Sequence, residues 1–163
     1  MTLTTAQLQM LKADIAAQTD PTFVAYRTAG NENGMADWYA VDSGFVIFKP
    51  TESTFSIGDV INYIAVAAMT VANLDRLNTF YRLNPNTFEP IRSDQRTFLA
   101  DTFSGALGGF GQATRDALDV LYRRNLNRGE KVYATGAGTT ATPGTASWEG
   151  VITAQNISDA LRS

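Results

Sequence analysis

Apolar residues recur at three- and four-residue intervals along most of this chain, and the breaks in that rhythm divide it into elements. Leu8, Leu11 and Ile15 form one stripe. Thr4 can cap that helix by accepting a hydrogen bond from the Gln7 amide while Gln7 reaches back, and Leu3 can pack on Leu8. The helix should end near Gln18, ahead of Asp20-Pro21. The longest pattern follows Ser56. Ile57, Val60, Ile61, Ile64, Ala67, Ala68, Val71, Leu74, Leu77 and Tyr81 keep helical spacing to about Arg82. It predicts one long central helix with Asn62, Asn73 and Asp75 off the apolar face. Two further helices are predicted from about Ser93 to Phe103 and from about Gln112 to Leu126, separated by the glycine-rich Gly105–Gly111.

Two regions break the helical rhythm. Thr22–Arg27 and Phe45–Lys49 are β-prone, with the turn-rich Gly30–Gly34 between them and Pro50 closing the second. Thr135–Thr145 is a low-complexity run of Thr, Ala and Gly with one proline. Beyond it, Trp148, Val151 and Ile152 suggest a short strand, and Ile157 and Leu161 a last helical turn. The fold expected is mainly α: a small helical bundle around one long central helix, with minor β structure as a hairpin or extended arms. Residues 1–134 should form the helical core, with a β-prone segment at 22–50. Residues 135–163 should form a Thr/Gly-rich spacer and a C-terminal docking arm. Trp148, Val151, Ile152, Ile157 and Leu161 are an apolar set that must be buried somewhere. A partner surface and the chain's own core are both open destinations, and the spacer favours the partner.

Composition narrows the chemistry. At 163 residues, with 44% hydrophobic and 18% charged, the chain can bury a core of ordinary size. A net charge of −3 argues against a dedicated nucleic-acid binder. No apolar run is long enough to cross a membrane, and the amino-terminal stretch is too polar for a secretory leader. Histidine and cysteine are both absent. That removes the commonest general base, the commonest transition-metal ligand and every thiolate mechanism. No cofactor, metal or catalytic residue is implied, and the chain is not expected to be an enzyme.

Three local features invite chemical readings. Asp116 and Asp119 are the only close acidic pair on one helix, the minimum for a carboxylate-based hydrolase. They alternate with Arg115, Arg123 and Arg124, as on a solvated, ion-paired helix face. The glycine cluster lacks the preceding strand and the lysine that a phosphate loop needs, so it reads as an interhelical loop. Arg123, Arg124, Arg128 and Lys131 form the one basic concentration. They can meet an acidic partner or phosphates, as a DNA-binding accessory protein would, or complement a helix C-terminus ended by Gly129.

Four stretches carry a resemblance: Thr2–Ile15 (TLTTAQLQMLKADI), Phe45–Pro50 (FVIFKP), Arg128–Gly138 (RGEKVYATGAG) and Ser147–Gly150 (SWEG). Together they resemble small proteins encoded beside capsid and tail genes in tailed bacteriophages. The resemblance spans nearly the whole chain. It implies a virion structural protein of the head–tail adaptor type, assembled in the bacterial host cytoplasm. Such subunits form a homo-oligomeric ring between portal and tail, contact portal and neck or tail proteins, and meet DNA only as passing cargo. The aromatic, β-prone region Thr22–Lys49 departs from a minimal helical adaptor. Capsid cement and tail completion therefore stay open as stations.

Overall fold

Thr4 opens the first helix as its sequence suggests. In the computed structural model, which describes residues 2–163, Thr4 Oγ1 accepts from the Gln7 amide and the Gln7 side chain accepts from the Thr4 amide. The helix so started, α1 (Thr5–Ala17), buries Leu11 and Ile15. The chain divides into two compact units. One is discontinuous and comprises residues 1–47 and 125–163. The other is the uninterrupted stretch 48–124. Among the described residues the fold is mainly α with small two-stranded sheets.

The discontinuous unit holds α1, α2 (Pro21–Thr28), α3 (Glu32–Ala40) and most of strand β1 (Asp42–Phe48). After the chain returns it adds most of β4 (Arg123–Asn127), the short α9 (Arg128–Lys131), β5 (Ala134–Thr135), β6 (Thr145–Ala146) and α10 (Ala154–Arg162). The expected strand at Thr22–Arg27 is instead α2. Asp20 caps it, accepting from the Thr22 and Phe23 amides, and Pro21 sits at the first helical position with its φ already suited to a helix. The turn-like Gly30–Gly34 is in part a second start signal, because Asn31 caps α3. The strand expected at Phe45–Lys49 is present as β1, which pairs with β4.

The core of this unit joins both ends of the chain. Leu3, Leu11, Ile15, Phe23, Met35 and Tyr39 pack with Tyr133, Trp148, Ile152, Ile157 and Ala160. Phe23, Trp38 and Tyr39 form an edge-to-face triangle with ring centroids 4.8–5.4 Å apart. α10 lies against α1 and α3.

The presumed spacer is part of this packing. β5 and β6 pair antiparallel, Ala134 opposite Ala146, so residues 136–144 form the tip of a hairpin. That tip folds onto β1: the Val46 amide donates to the Gly138 carbonyl, and the Gly144 amide donates to the Val46 carbonyl. A Cβ on Gly138 or Gly144 would lie 2.2 or 2.4 Å from the Phe45 ring. The glycines are there because an aromatic ring occupies the space a side chain would need.

The continuous unit begins with Phe48 and holds β2 (Glu52–Ser53), α4 (Thr54–Val60), α5 (Tyr63–Ala67), α6 (Val71–Leu83), β3 (Thr87–Phe88), α7 (Ser93–Thr102), a 3-10 turn at Gly105–Leu107 and α8 (Gly108–Leu121). The single long helix expected from Ile57 to Arg82 is three helices. Asn62 leaves helical geometry and caps α5 by accepting from the Ile64 and Ala65 amides; Thr70 caps α6 by accepting from the Asn73 amide. The register slips at the breaks: Ala65 and Met69 are buried, while Ile64, Ala67, Ala68 and Val71 of the expected stripe are exposed, and the breaks fall where a polar side chain can cap. Ile57, Ala65, Leu77, Phe80, Phe88, Leu99, Phe103, Leu118 and Tyr122 make the core.

The glycine cluster also differs from a loose loop. Gly105 and Gly108 take positive φ around the 3-10 turn, and α8 starts at Gly108. At Gly111 a Cβ would meet the Phe103 carbonyl at 2.7 Å. The helix expected to run to Leu126 ends at Leu121, and the chain becomes strand β4.

Candidate functional site

The C-terminal apolar set is largely consumed by the fold. Trp148, Ile152 and Ile157 are buried in the chain's own core, whereas Val151 and Leu161 stay exposed. The Trp148 ring meets Tyr133 edge-on at 5.2 Å, so its face is not offered to a partner. This corrects the docking-arm expectation for those three residues. The physical reason is the hairpin, which brings the chain back onto β1 instead of carrying it away.

The basic residues divide between the units. Arg123 belongs to the continuous unit. Its guanidinium stands 3.7 Å from the Asp119 carboxylate and 5.9 Å from the centre of the Phe48 ring. Arg124 follows it in β4 and is partly buried. Arg128 and Lys131 belong to the discontinuous unit, on α9. Gly129 lies inside that helix and does not end it; a Cβ there would sit 2.6 Å from Ile152.

Arg128 and Lys131 line a cleft of about 410 Å³ together with Asp14, Trp38 and Asp42. The Arg128 guanidinium lies 4.2 Å over the Trp38 ring, a cation–π contact that fixes its orientation. Both carboxylates are already engaged by neutral donors. Asp14 accepts from the Tyr39 hydroxyl at 2.6 Å and from Gln18, and Asp42 accepts from Asn125 and the Gly44 amide. Burial first, then the bond to Asp14, pushes the Tyr39 hydroxyl far above its ordinary value and keeps it a donor.

A second cleft, of about 250 Å³, lies between α7 and α8 in the continuous unit. It is lined by Arg96, Gln112, Arg115, Asp116, Asp119 and Tyr122, among others. Asp116 and Asp119, the acidic pair singled out from sequence, do share this cleft. Asp116 accepts from the Gln112 side-chain Nε2 at 2.6 Å, and Asp119 faces Arg123. Arg115 donates to the Phe103 carbonyl and to Gln112. Arg96 donates to the Pro90 carbonyl and lays its guanidinium 3.7 Å over the Phe48 ring, which Arg123 also approaches.

Two donors here lack acceptors. The Tyr122 hydroxyl and Arg123 Nε are both buried without a hydrogen-bond partner, a situation that costs about 1–3 kcal/mol for each such group. Burial, and then the charge of Asp119, push the Tyr122 hydroxyl well above its ordinary value, so it is a protonated donor. Burial lowers Arg96 below the usual guanidinium value, and the neighbouring Arg123 adds to that. Nothing in the spacing of Phe48, Arg96 and Tyr122 marks them as neighbours; only the tertiary fold assembles them.

The continuous unit also leaves much apolar surface in solvent. Phe55, Tyr63, Val71, Leu83 and Val120 are 74–76% exposed, with Ile64 and Phe110 about half exposed. Two of these sites are adjacent by hydrogen bonding. The Asn62 amide, at the start of α5, donates to Thr114 Oγ1, which donates to the Phe110 carbonyl at the start of α8. Tyr63, Ile64 and Phe110 therefore rise from neighbouring backbone.

No protein-family model matches this chain, and no curated protein and no solved structure matches it. Among the described residues no cluster of His, Cys, Asp or Glu could hold a metal ion, and no helix is long and apolar enough to cross a membrane.

Proposed function

We propose that this chain is a structural subunit of a tailed-phage particle, a head–tail adaptor that assembles as a ring between portal and tail. The observation that carries the reading is the exposed apolar surface of the continuous unit. Large contiguous apolar patches on a soluble protein mark association sites, and Tyr63, Ile64 and Phe110, which rise from neighbouring backbone, would begin one. A ring subunit needs two of them, one for each neighbour. The four sequence stretches that resemble phage proteins supply the biological setting.

Burial of the C-terminal tryptophan changes how such a subunit would attach. The contacts to portal and tail would come from the exposed residues of α4, α5, α6 and α8, together with Val151 and Leu161. Arg128 and Lys131 in their cleft suit an acidic neighbouring surface. DNA would pass through the ring without being gripped.

Quantitative mass spectrometry of particles purified from the encoding phage tests this reading. Heads and tails are separated before digestion. The expected result is a chain present at the copy number of one ring and lost when the neck is disrupted. A copy number matching the capsid lattice would favour capsid cement, and absence from particles would end the virion reading altogether.

A further inference from the structure

We propose that the cleft between α7 and α8 is a binding site for a singly charged oxyanion of the carboxylate type, held by Arg96, Arg123 and the Tyr122 hydroxyl. The proposal does not rest on the virion reading. It starts from an imbalance of donors and acceptors. Tyr122 is 3% exposed and its hydroxyl has no partner, while Arg123 Nε, also buried, has none. Arg96 spends one bond on the Pro90 carbonyl and otherwise rests on the Phe48 ring. Two buried donors in one small region thus lack an acceptor, with the Arg96 guanidinium close by.

Water could satisfy any one of them, but the charge points elsewhere. Arg96 and Arg123 share the Phe48 ring, and such like charges are normally separated or neutralised. Asp119 stands 3.7 Å from Arg123, and its charge also reaches Arg96 and Tyr122. Arg96 and Arg115 line the cleft with Asp116 and Asp119, and Arg123, outside that lining, stands beside Asp119; counted together, three guanidinium groups gather about two carboxylates, one positive charge in excess. That excess matches one monoanion. A phosphate dianion would carry its second charge against Asp116 and Asp119.

Flat guanidinium groups and a hydroxyl suit the two oxygens of a carboxylate. A cleft of about 250 Å³ accepts a small group rather than a nucleotide.

The test uses the full chain with three probes at matched ionic strength: sodium acetate, inorganic phosphate as the dianion, and sodium chloride as the control. Nitrogen–proton spectra follow the side-chain Nε resonances of Arg96 and Arg123. Acetate should shift both saturably, chloride should not, and phosphate should bind more weakly than acetate. Tyr122→Phe should weaken acetate binding about tenfold, the loss expected for one hydrogen bond to a charged group. Its melting temperature without acetate should be unchanged or higher, since the unsatisfied hydroxyl is gone. Arg96→Gln is the second variant and should weaken acetate at least as much.

Three results would overturn the proposal: no saturable acetate effect beyond chloride, tighter binding of phosphate than of acetate, or a Tyr122→Phe variant with unchanged acetate affinity. The last would mean the hydroxyl holds only water. Sedimentation with and without acetate then identifies the source of the group. Dissociation of oligomers by acetate points to an Asp or Glu side chain of another copy, and unchanged sedimentation points to a small molecule; either result upholds the site.

Discussion

The two units of this chain spend their apolar residues differently. The discontinuous unit packs Leu3 and α1 with α10 in one core, and among its described residues the most exposed large apolar side chain, Val151, is 61% exposed. The continuous unit has a core of similar make-up yet leaves five large apolar side chains about three-quarters exposed. A protein that merely had to fold would gain by burying or replacing those residues, since each buried side chain of this size contributes about 1.5–3 kcal/mol. The proposed ring would draw most of its contacts from the second unit, with Val151 and Leu161 as the first unit's share.

Removing the chain after Ala134 should break the first unit most severely. The deletion takes Trp148, Ile152, Ile157 and Ala160 from the core shared with α1 and α3. Emptying one such large site alone costs about 2–5 kcal/mol, against a usual total stability of 5–15. Loss of cooperative melting, followed by circular dichroism, is the expected outcome. A soluble, cooperatively melting truncation would instead restore the docking-arm reading.

Within the second unit, Phe88→Ala and Phe55→Ala should separate core from contact surface. Phe88 is fully buried against Phe80 and Tyr122, and its truncation should cost about 3–5 kcal/mol in urea unfolding. Phe55 is exposed, and its truncation should stay within about 0.5 kcal/mol. Comparable losses at both positions would mean that Phe55 is not the free surface residue it is here.

Gly144→Ala is a finer probe of the first unit. The new methyl would push into the Phe45 ring and the Thr135 carbonyl, an overpacking expected to cost about 1–3 kcal/mol. An unperturbed urea midpoint would show that the hairpin tip does not hold to β1.

The smallest effect expected is a pH dependence in the second unit. Burial alone would raise Glu52, but hydrogen bonds from Lys49, the Ser53 amide and Ser56 outweigh it and hold the carboxyl below its ordinary value of 4.5. A depressed folded value contributes stability above that ordinary value, lost as pH falls through the folded one. Glu52→Gln should therefore flatten the acid limb of stability against pH while changing little near neutrality. An acid limb as steep as in the parent chain would contradict this role for Glu52.

How far the sequence foretold these arrangements depended on the range of the signal. The Thr4–Gln7 capping box, α7 and the strand at Phe45–Phe48 are local patterns and were legible. Asp20-Pro21 and Asn62 were visible too, but a capping residue and a helix interruption look alike until the backbone chooses. The Thr/Gly run hid its role because glycine's use there is steric and lies with Phe45, some ninety residues away in the chain. Of the site residues, Asp116 and Asp119 were found through their spacing on one helix. Arg123 was singled out among the basic residues, whereas Phe48, Arg96 and Tyr122 come together only through tertiary packing. Trp148, Ile152 and Ile157 were recognised as needing burial, but a sequence does not say in whose core.

The central proposal is that the exposed apolar residues of the continuous unit are assembly contacts in a phage neck. A density map of the intact particle from the encoding phage tests it most directly. The account predicts this chain in a closed ring between portal and tail, with Phe55, Tyr63, Val71 and their exposed neighbours buried at subunit contacts. A map that places the chain elsewhere, or leaves those side chains facing solvent within the ring, would contradict it.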